Sequence, residues 1–429
     1  MKRGRKEIRK KGAVECSFCG YVAADASFNF CPVCGFNLSE YEGDEGVYSI
    51  ERIRYLWERR NGGKLVYDNF RSVRDSGVYP HIKSKPIRPQ LGDFGHVHLS
   101  NLMFFAPLHY SPKLASELYL ISKLEGYYNV ESGLRALKWG SLISAAQKGG
   151  MFWRFFESRK IKETFTEGWR SCGGGILSIT KVDKRKKGVF FELRESDVSM
   201  LPATKKPACV MDGGVLAGSV EALFDGFWDC DEVACARDGK PACVFRVYRH
   251  ETEDKPSFYM PKEEEVQRIL DSIFDDVTSR RRLRKVVDDY VYLMVPQCDN
   301  YFWLSSSPGH TILSKHLGAV CGRQIAEKAG VKGVDLALDY IKDLFLFLKA
   351  GVITDIKKPD SERILIHMDE SVYAAGVADI NMKLCVFLAG IIEGILNAAG
   401  GNYEVTEKNC LAKGDEDCVF IAKKRKIVR

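Results

Sequence analysis

The chain has 429 residues, 45% hydrophobic and 28% charged, with a formal net charge of +7. This is ordinary globular composition with room for two or three domains. No apolar run is long enough to span a bilayer, and the basic start from Met1 to Lys11 lacks the apolar core of a signal peptide. The expected location is therefore cytoplasmic, where the fourteen cysteines read as metal ligands and buried thiols rather than disulfides.

Residues 1–12 form a basic tail. Residues 13–36 read as a zinc ribbon, because Cys16-x2-Cys19-Gly20 and Cys31-x2-Cys34-Gly35 are two knuckles that each aim two sulfurs at one ion. The glycine behind each pair lets the chain fold tightly. Residues 37–99 are a helix-and-linker segment. Apolar spacing predicts a helix over Asp44–Arg60, stopped at Gly62-Gly63, and the Pro-, Gly- and basic-rich stretch Tyr79–Gly95 reads as a linker.

A first large module is expected over residues 100–250. Helical patterning runs from Pro112 to Leu124, Ser132 to Ala146 and Met151 to Thr166. Strands are expected at Ile176–Val182 and Gly188–Leu193, then a helix from Cys209 to about Phe224 and a hairpin over Trp228–Arg246. A charged linker covers residues 251–265. The second module, residues 266–425, has helical patterning at Val266–Val277, Arg281–Val295, Lys315–Lys328 and Val334–Leu348. A short strand at Arg363–Met368, a helix at Lys383–Ala399 and a hairpin at Tyr403–Ala422 follow. The order of elements is the same in both modules.

The repetition is literal in one string. Cys209-x4-Gly214-x3-Gly218 is followed by Glu232-x2-Cys235-x3-Gly239-x3-Cys243-Val244-Phe245. Cys385-x4-Gly390-x3-Gly394 is followed by Glu407-x2-Cys410-x3-Gly414-x3-Cys418-Val419-Phe420. The two differ in register by one residue, between the second glycine and the glutamate, which identifies a duplicated module. Cys209, Glu232, Cys235 and Cys243, and likewise Cys385, Glu407, Cys410 and Cys418, offer three thiolates and a carboxylate, a full tetrahedral set for zinc. A filled shell leaves no position for water or substrate, so up to three zinc ions are expected, all structural. Gly239 and Gly414 are expected at positive φ in the hairpin turn, and the glycines four apart should admit a second element closely. A water or Cys230 could replace Glu232 in the first set.

Other constellations read as bland. His96, His98 and His109 are expected to be surface or satisfied histidines. Arg280, Arg281, Arg282, Arg284 and Lys285 read as a solvated helix face, and Ser305-Ser306-Ser307 has no nucleophile-elbow glycines. Aromatics such as Phe104, Phe105, Tyr119, Trp139, Phe152 and Trp153 are expected mostly in the core, with a few left to line a pocket.

The repeated string resembles the C-terminal half of the 4-vinyl reductase domain, the predicted hydrocarbon-binding family. The resemblance implies an α/β (α+β) fold with helices packed on small antiparallel sheets, in two tandem copies. It also implies that both four-residue sets hold zinc beside a ligand pocket, as in the aromatic-responsive members. The chain lacks the ATPase loop of those activators, a helix-turn-helix and a dinucleotide fingerprint. The expected function is a non-enzymatic zinc protein that binds or senses a small apolar or aromatic molecule, with no catalytic residue. The ribbon would contact a protein or nucleic-acid partner, and the modules would pair as an intramolecular pseudo-dimer or a homodimer. One alternative is a tetrapyrrole vinyl reductase or its accessory. Another is a nucleic-acid-binding regulator using the ribbon and basic N-terminus.

Overall fold

The computed structural model describes residues 14–15, 22–23, 86–136, 156–183, 188–204, 209–224, 226–250, 261–306, 308–377 and 380–425. The ribbon ligands Cys16, Cys19, Cys31 and Cys34 lie outside the described residues, as does the helix expected over 44–60. From the ribbon, β1 (Val14–Glu15) and β2 (Val22–Ala23) pair antiparallel.

The first half then runs β3 (Phe94–His96), α1 (Val97–Tyr110), α2 (Ala115–Ala136), α3 (Arg159–Ser171), β4 (Ile176–Asp183) and β5 (Gly188–Arg194). It closes with α4 (Val210–Leu223), β6 (Phe227–Ala234) and β7 (Cys243–His250). After α5 (Glu263–Ser279), the second half repeats the order. It runs β8 (Tyr290–Tyr292), α6 (Met294–Ser306), α7 (Pro308–Lys328), α8 (Val334–Phe347), β9 (Val352–Lys357) and β10 (Arg363–Asp369), then α9 (Val386–Ala398), β11 (Tyr403–Asn409) and β12 (Cys418–Lys424).

Each half has a four-stranded antiparallel sheet, in the order β4-β5-β7-β6 and β11-β12-β10-β9. Alternation drives both. Val189, Phe191 and Leu193 of β5 and Cys243, Phe245 and Val247 of β7 face inward, as do Ile364, Ile366 and Met368 of β10 and Cys418, Phe420 and Ala422 of β12. One helix of each half lies against another through glycine. A Cβ on Gly214 or Gly218 would sit 2.6 Å and 1.8 Å from the carbonyl oxygens of Tyr119 and Lys123 on α2. A Cβ on Gly390 or Gly394 would sit 2.2 Å and 2.1 Å from those of Lys315 and Ala319 on α7. The backbones are that close because neither helix presents a side chain there.

Three expectations are corrected. Arg281–Val295 is not a helix. It is an extended arm that leads into β8, and α6 begins at Met294. Val286, Val287 and Val291 favour extended chain, and the amides of Val286 and Val287 are taken by a carboxylate of the other half instead of by a helix ladder. The last residues of the expected linker Tyr79–Gly95, from Arg88 onward, form a matching arm that leads into β3. The arms meet: β3 pairs antiparallel with β8, with Gly95 opposite Val291. Strand β9 carries no sequence signal because it is a half-exposed edge with charged residues between its apolar ones. The helices expected over Ser132–Ala146 and Met151–Thr166 lie partly outside the described residues. Within them α2 reaches Ala136, and α3 starts at Arg159. Among the described residues, no helix is long and apolar enough to cross a membrane.

Candidate metal centres

Cys209 and Cys385 are the N-cap residues of α4 and α9. The helix N-terminus carries partial positive charge and so favours a thiolate there. The hairpins supply the remaining groups. On β11, period-two alternation that buries Tyr403 and Val405 also turns Glu407 inward. On β6 the same alternation aligns Trp228, Cys230 and Glu232. Each hairpin then turns through a single 3-10 turn (Ala236–Asp238, Leu411–Lys413) capped by glycine, with Gly239 at φ 78° and Gly414 at φ 84° as expected. This turn sets the two hairpin cysteines side by side. The amide of Ala236 donates to Cys243 Sγ at 3.3 Å, and the amide of Leu384 to Cys410 Sγ at 3.5 Å.

The eight sequence-predicted residues of the repeats converge as two sets, Cys209, Glu232, Cys235 and Cys243 and Cys385, Glu407, Cys410 and Cys418. Within each set the ligand atoms lie within 4.8 Å of one another. In the first, Cys209 Sγ is 3.8 Å from Cys235 Sγ and 3.6 Å from Cys243 Sγ, and the latter two are 3.8 Å apart. In the second, Cys385 Sγ is 3.6 Å from Cys418 Sγ. These separations exceed a disulfide of about 2 Å. They match the edge of about 3.8 Å expected of a tetrahedron whose metal–sulfur bonds are about 2.3 Å.

The glutamates complete the fit. Glu232 Oε2 accepts from the Cys209 amide at 2.7 Å and Glu407 Oε2 from the Cys385 amide at 3.1 Å. The other oxygen of each, Oε1, is buried with no hydrogen-bond partner. A buried carboxylate oxygen without a partner is costly, and a cation among the sulfurs would satisfy it. Burial, reinforced by Cys235, pushes the Glu232 carboxyl up to about 8, and burial also raises Glu407 well above the usual range. Hydrogen bonds from neighbouring thiols hold Cys235 low in the first set and Cys418 at about 5 in the second. The neighbouring thiols Cys235 and Cys243 push Cys209 up, and burial pushes up Cys385. Each triad thus already favours an ionised sulfur, the form a metal needs. Both clusters could hold a metal ion.

Their surroundings differ. Two residues before Glu232 stands Cys230, and three after Cys209 stands Asp212, whose carboxyl burial raises well above the usual range with help from Asp197. The same places in the second half hold Val405 and Leu388, both fully buried. Cys230 lies off the first triad, its thiol raised by burial. Ser371 Oγ is 3.0 Å from Cys385 Sγ, a contact that no sequence pattern signals.

The remaining candidates resolve as structure. His96 and His98 are buried and stacked at 5.0 Å, and burial draws both down to about 3. In the basic run Arg284 is not on a solvated face; it is fully buried, donating to the carbonyls of Gly173 at 2.5 Å and Tyr290 at 3.2 Å. Phe104, Phe105 and Tyr119 are core residues, whereas Trp139, Phe152 and Trp153 lie outside the described residues. Ser306 is buried, bonded to Glu117 and to His310.

The family model of the 4-vinyl reductase domain matches residues 192–249 and 364–424, the two cysteine-bearing segments. An uncharacterised protein of Methanocaldococcus jannaschii, MJ0150, is 22% identical over 150 residues, which are 35% of this chain and 85% of that protein. Among solved structures, a vinyl-4-reductase family protein from the same organism is 23% identical. The match covers 28% of this chain and 79% of that one, with a TM-score of 0.18. A trafficking protein particle complex subunit 3 from Naegleria fowleri, covalently bound to palmitic acid, is 15% identical. There the match covers 37% of this chain and 98% of that one, with a TM-score of 0.24. Two 4-vinyl reductase domains therefore stand in tandem in this chain.

Proposed function

We propose that the chain is a binding protein built from two 4-vinyl reductase domains, each pinned by a structural zinc ion, which presents a site for a small apolar or aromatic molecule. The observation that carries the zinc assignment is the closed donor set. Three sulfurs at tetrahedral separation and one unpartnered carboxylate oxygen fill four positions with protein atoms, so no position is left for a substrate. Sulfur-rich tetrahedral sets favour zinc over harder ions. The ion would tie the start of α4 to the β6–β7 hairpin, and the start of α9 to the β11–β12 hairpin. The two family-model matches support a ligand-binding role, and the pairing of β3 with β8 supports an intramolecular pair of modules.

Elemental analysis of the purified full chain tests the metal half of this reading. At least two equivalents of zinc are expected, and a third if the ribbon also binds. Native mass spectrometry before and after organic extraction tests the ligand half. A co-purifying apolar molecule supports it, and a protein that stays empty when offered hydrophobic and aromatic ligands would sink it.

A further inference from the structure

The two arms are related to each other residue by residue. The amides of Gln90 and Leu91 donate to the Glu370 carboxylate, at 2.9 Å and 2.8 Å. Those of Val286 and Val287 donate to Glu195 Oε2 at 2.7 Å and 3.0 Å. Arg88 and Arg284 each donate a backbone amide to an aspartate five residues on, Asp93 and Asp289. His96 donates to the carbonyl of Leu348, and Tyr292 to that of Cys172. Val97 donates to Asp289, and Leu293 to Asp93. The arm that opens the first half thus lies on the second half's sheet end, and the reverse.

The receiving glutamates carry a second mark. Glu195 and Glu370 both have left-handed backbone, at φ 52° and φ 53°. A non-glycine residue there costs about 1 kcal/mol or more. A glycine would avoid that cost but could not accept two amides. Each carboxylate is therefore a purpose-built receptor for the opposite arm.

Only one receptor touches a metal ligand. Ser371 follows Glu370, and its hydroxyl is 3.0 Å from Cys385 Sγ while also accepting from the Tyr373 amide at 3.2 Å. In the first half, Ser196 follows Glu195, but its hydroxyl accepts from the Ser199 amide at 3.0 Å and bonds Asp212. Leu388 stands where Asp212 would be in the second half, so it offers Ser371 no such alternative.

We propose that the first arm is a latch on the second cluster: docking of Gln90 and Leu91 on Glu370 fixes Ser371 against Cys385 and keeps that cluster closed. The reciprocal arm pairs the modules without governing the first cluster. This rests on the reading of the second cluster as a metal centre.

The test is the rate of thiol alkylation by N-ethylmaleimide, resolved cysteine by cysteine by mass spectrometry, on the full chain under a metal chelator. Glu370→Gly removes the carboxylate and suits the left-handed backbone, so folding is preserved. It is expected to speed modification of Cys385, Cys410 and Cys418 about tenfold, and to leave Cys209, Cys235 and Cys243 within about twofold. Glu195→Gly is expected to leave the first triad within about twofold as well. In a Ser371→Ala background, adding Glu370→Gly should no longer change the second triad. Equal acceleration at all six thiols, no acceleration in Glu370→Gly, a tenfold effect of Glu195→Gly on the first triad, or an undiminished effect without the Ser371 hydroxyl would each overturn the latch. Metal content is measured on the same samples. A metal-free protein sinks the zinc reading, while the ratio of the two triads still reports the latch.

Discussion

The two halves fold alike but are furnished differently. Around the first cluster stand Asp212, Asp197 and the spare thiol Cys230; around the second stand Leu388, Val405 and the hydroxyl of Ser371. Glu232 is half-buried, whereas Glu407 is buried. The shared parts are those that make a clamp: three sulfurs, a carboxylate, a glycine turn and a helix start. The unshared parts set how easily the clamp opens. A duplicated frame can therefore hold one ion firmly and leave the other more exchangeable.

Metal removal is the largest lever on that difference. Stripping both ions is expected to cost on the order of 10 kcal/mol, read as the shift in chemical denaturation between chelator-treated and untreated protein. During stripping the first ion should leave before the second, because its carboxylate is the more accessible. Site-resolved alkylation of Cys235 ahead of Cys410 checks this order, and the reverse order breaks the comparison.

The next effect concerns one buried ion pair. Lys123 and Glu221 lie 3.0 Å apart, with side chains 1% and 7% exposed. The second half has Ala319 and Asn397 at the matching places. Asn397 there bonds the Tyr403 amide, as Glu221 bonds the Trp228 amide. Lys123→Ala is expected to lose about 3–5 kcal/mol by stranding Glu221. Adding Glu221→Asn, which copies the second half, should recover most of it. Urea denaturation of the two variants decides the matter.

Acid separates the two arms. Buried His96 and His98 titrate at about 3, against about 6.5 for an exposed histidine. The unfolded chain thus binds more protons between these values, and stability falls as the pH drops below about 6.5, until it levels near 3. At pH 5 each histidine costs about 2 kcal/mol. The matching residues of the other arm, Tyr292 and Met294, do not titrate there. Amide exchange is expected to rise at the first arm on going from pH 7 to 5. His98→Met, after its counterpart, should flatten that response.

The smallest expected effects are at the helix contacts. Gly214→Ala and Gly390→Ala each put a methyl against a backbone carbonyl, a loss of about 1–3 kcal/mol. The penalty should be similar in both halves, since the frame is shared, and thermal melts can compare them.

Much of this is readable from the chain. The repeated string places both clusters, both glycine turns and the close helix contacts, because metal ligation and tight turns demand particular residues at fixed spacing. Strand alternation in β5 and β10 does the same for the sheets. The arms are not readable. Arg88–His96 has a proline, a glycine and no periodic face, so it reads as a connector, and the apolar spacing of Arg281–Val295 imitates a helix. What makes each an ordered element is a carboxylate far away in sequence, Glu370 or Glu195, and no local pattern reports such a partner. Ser371 is hidden for the same reason: a single serine says nothing until its thiol neighbour is placed.

The contact between Gln90 and Glu370 spans 280 residues. During synthesis the first half therefore leaves the ribosome with its opening strand unmatched, and the receptor for that strand is among the last segments made. Closure of so long a loop is slow. Until then the nascent chain exposes an unpaired strand that a chaperone or a neighbouring copy could seize. Two separately expressed halves should, by the same logic, find and complete each other.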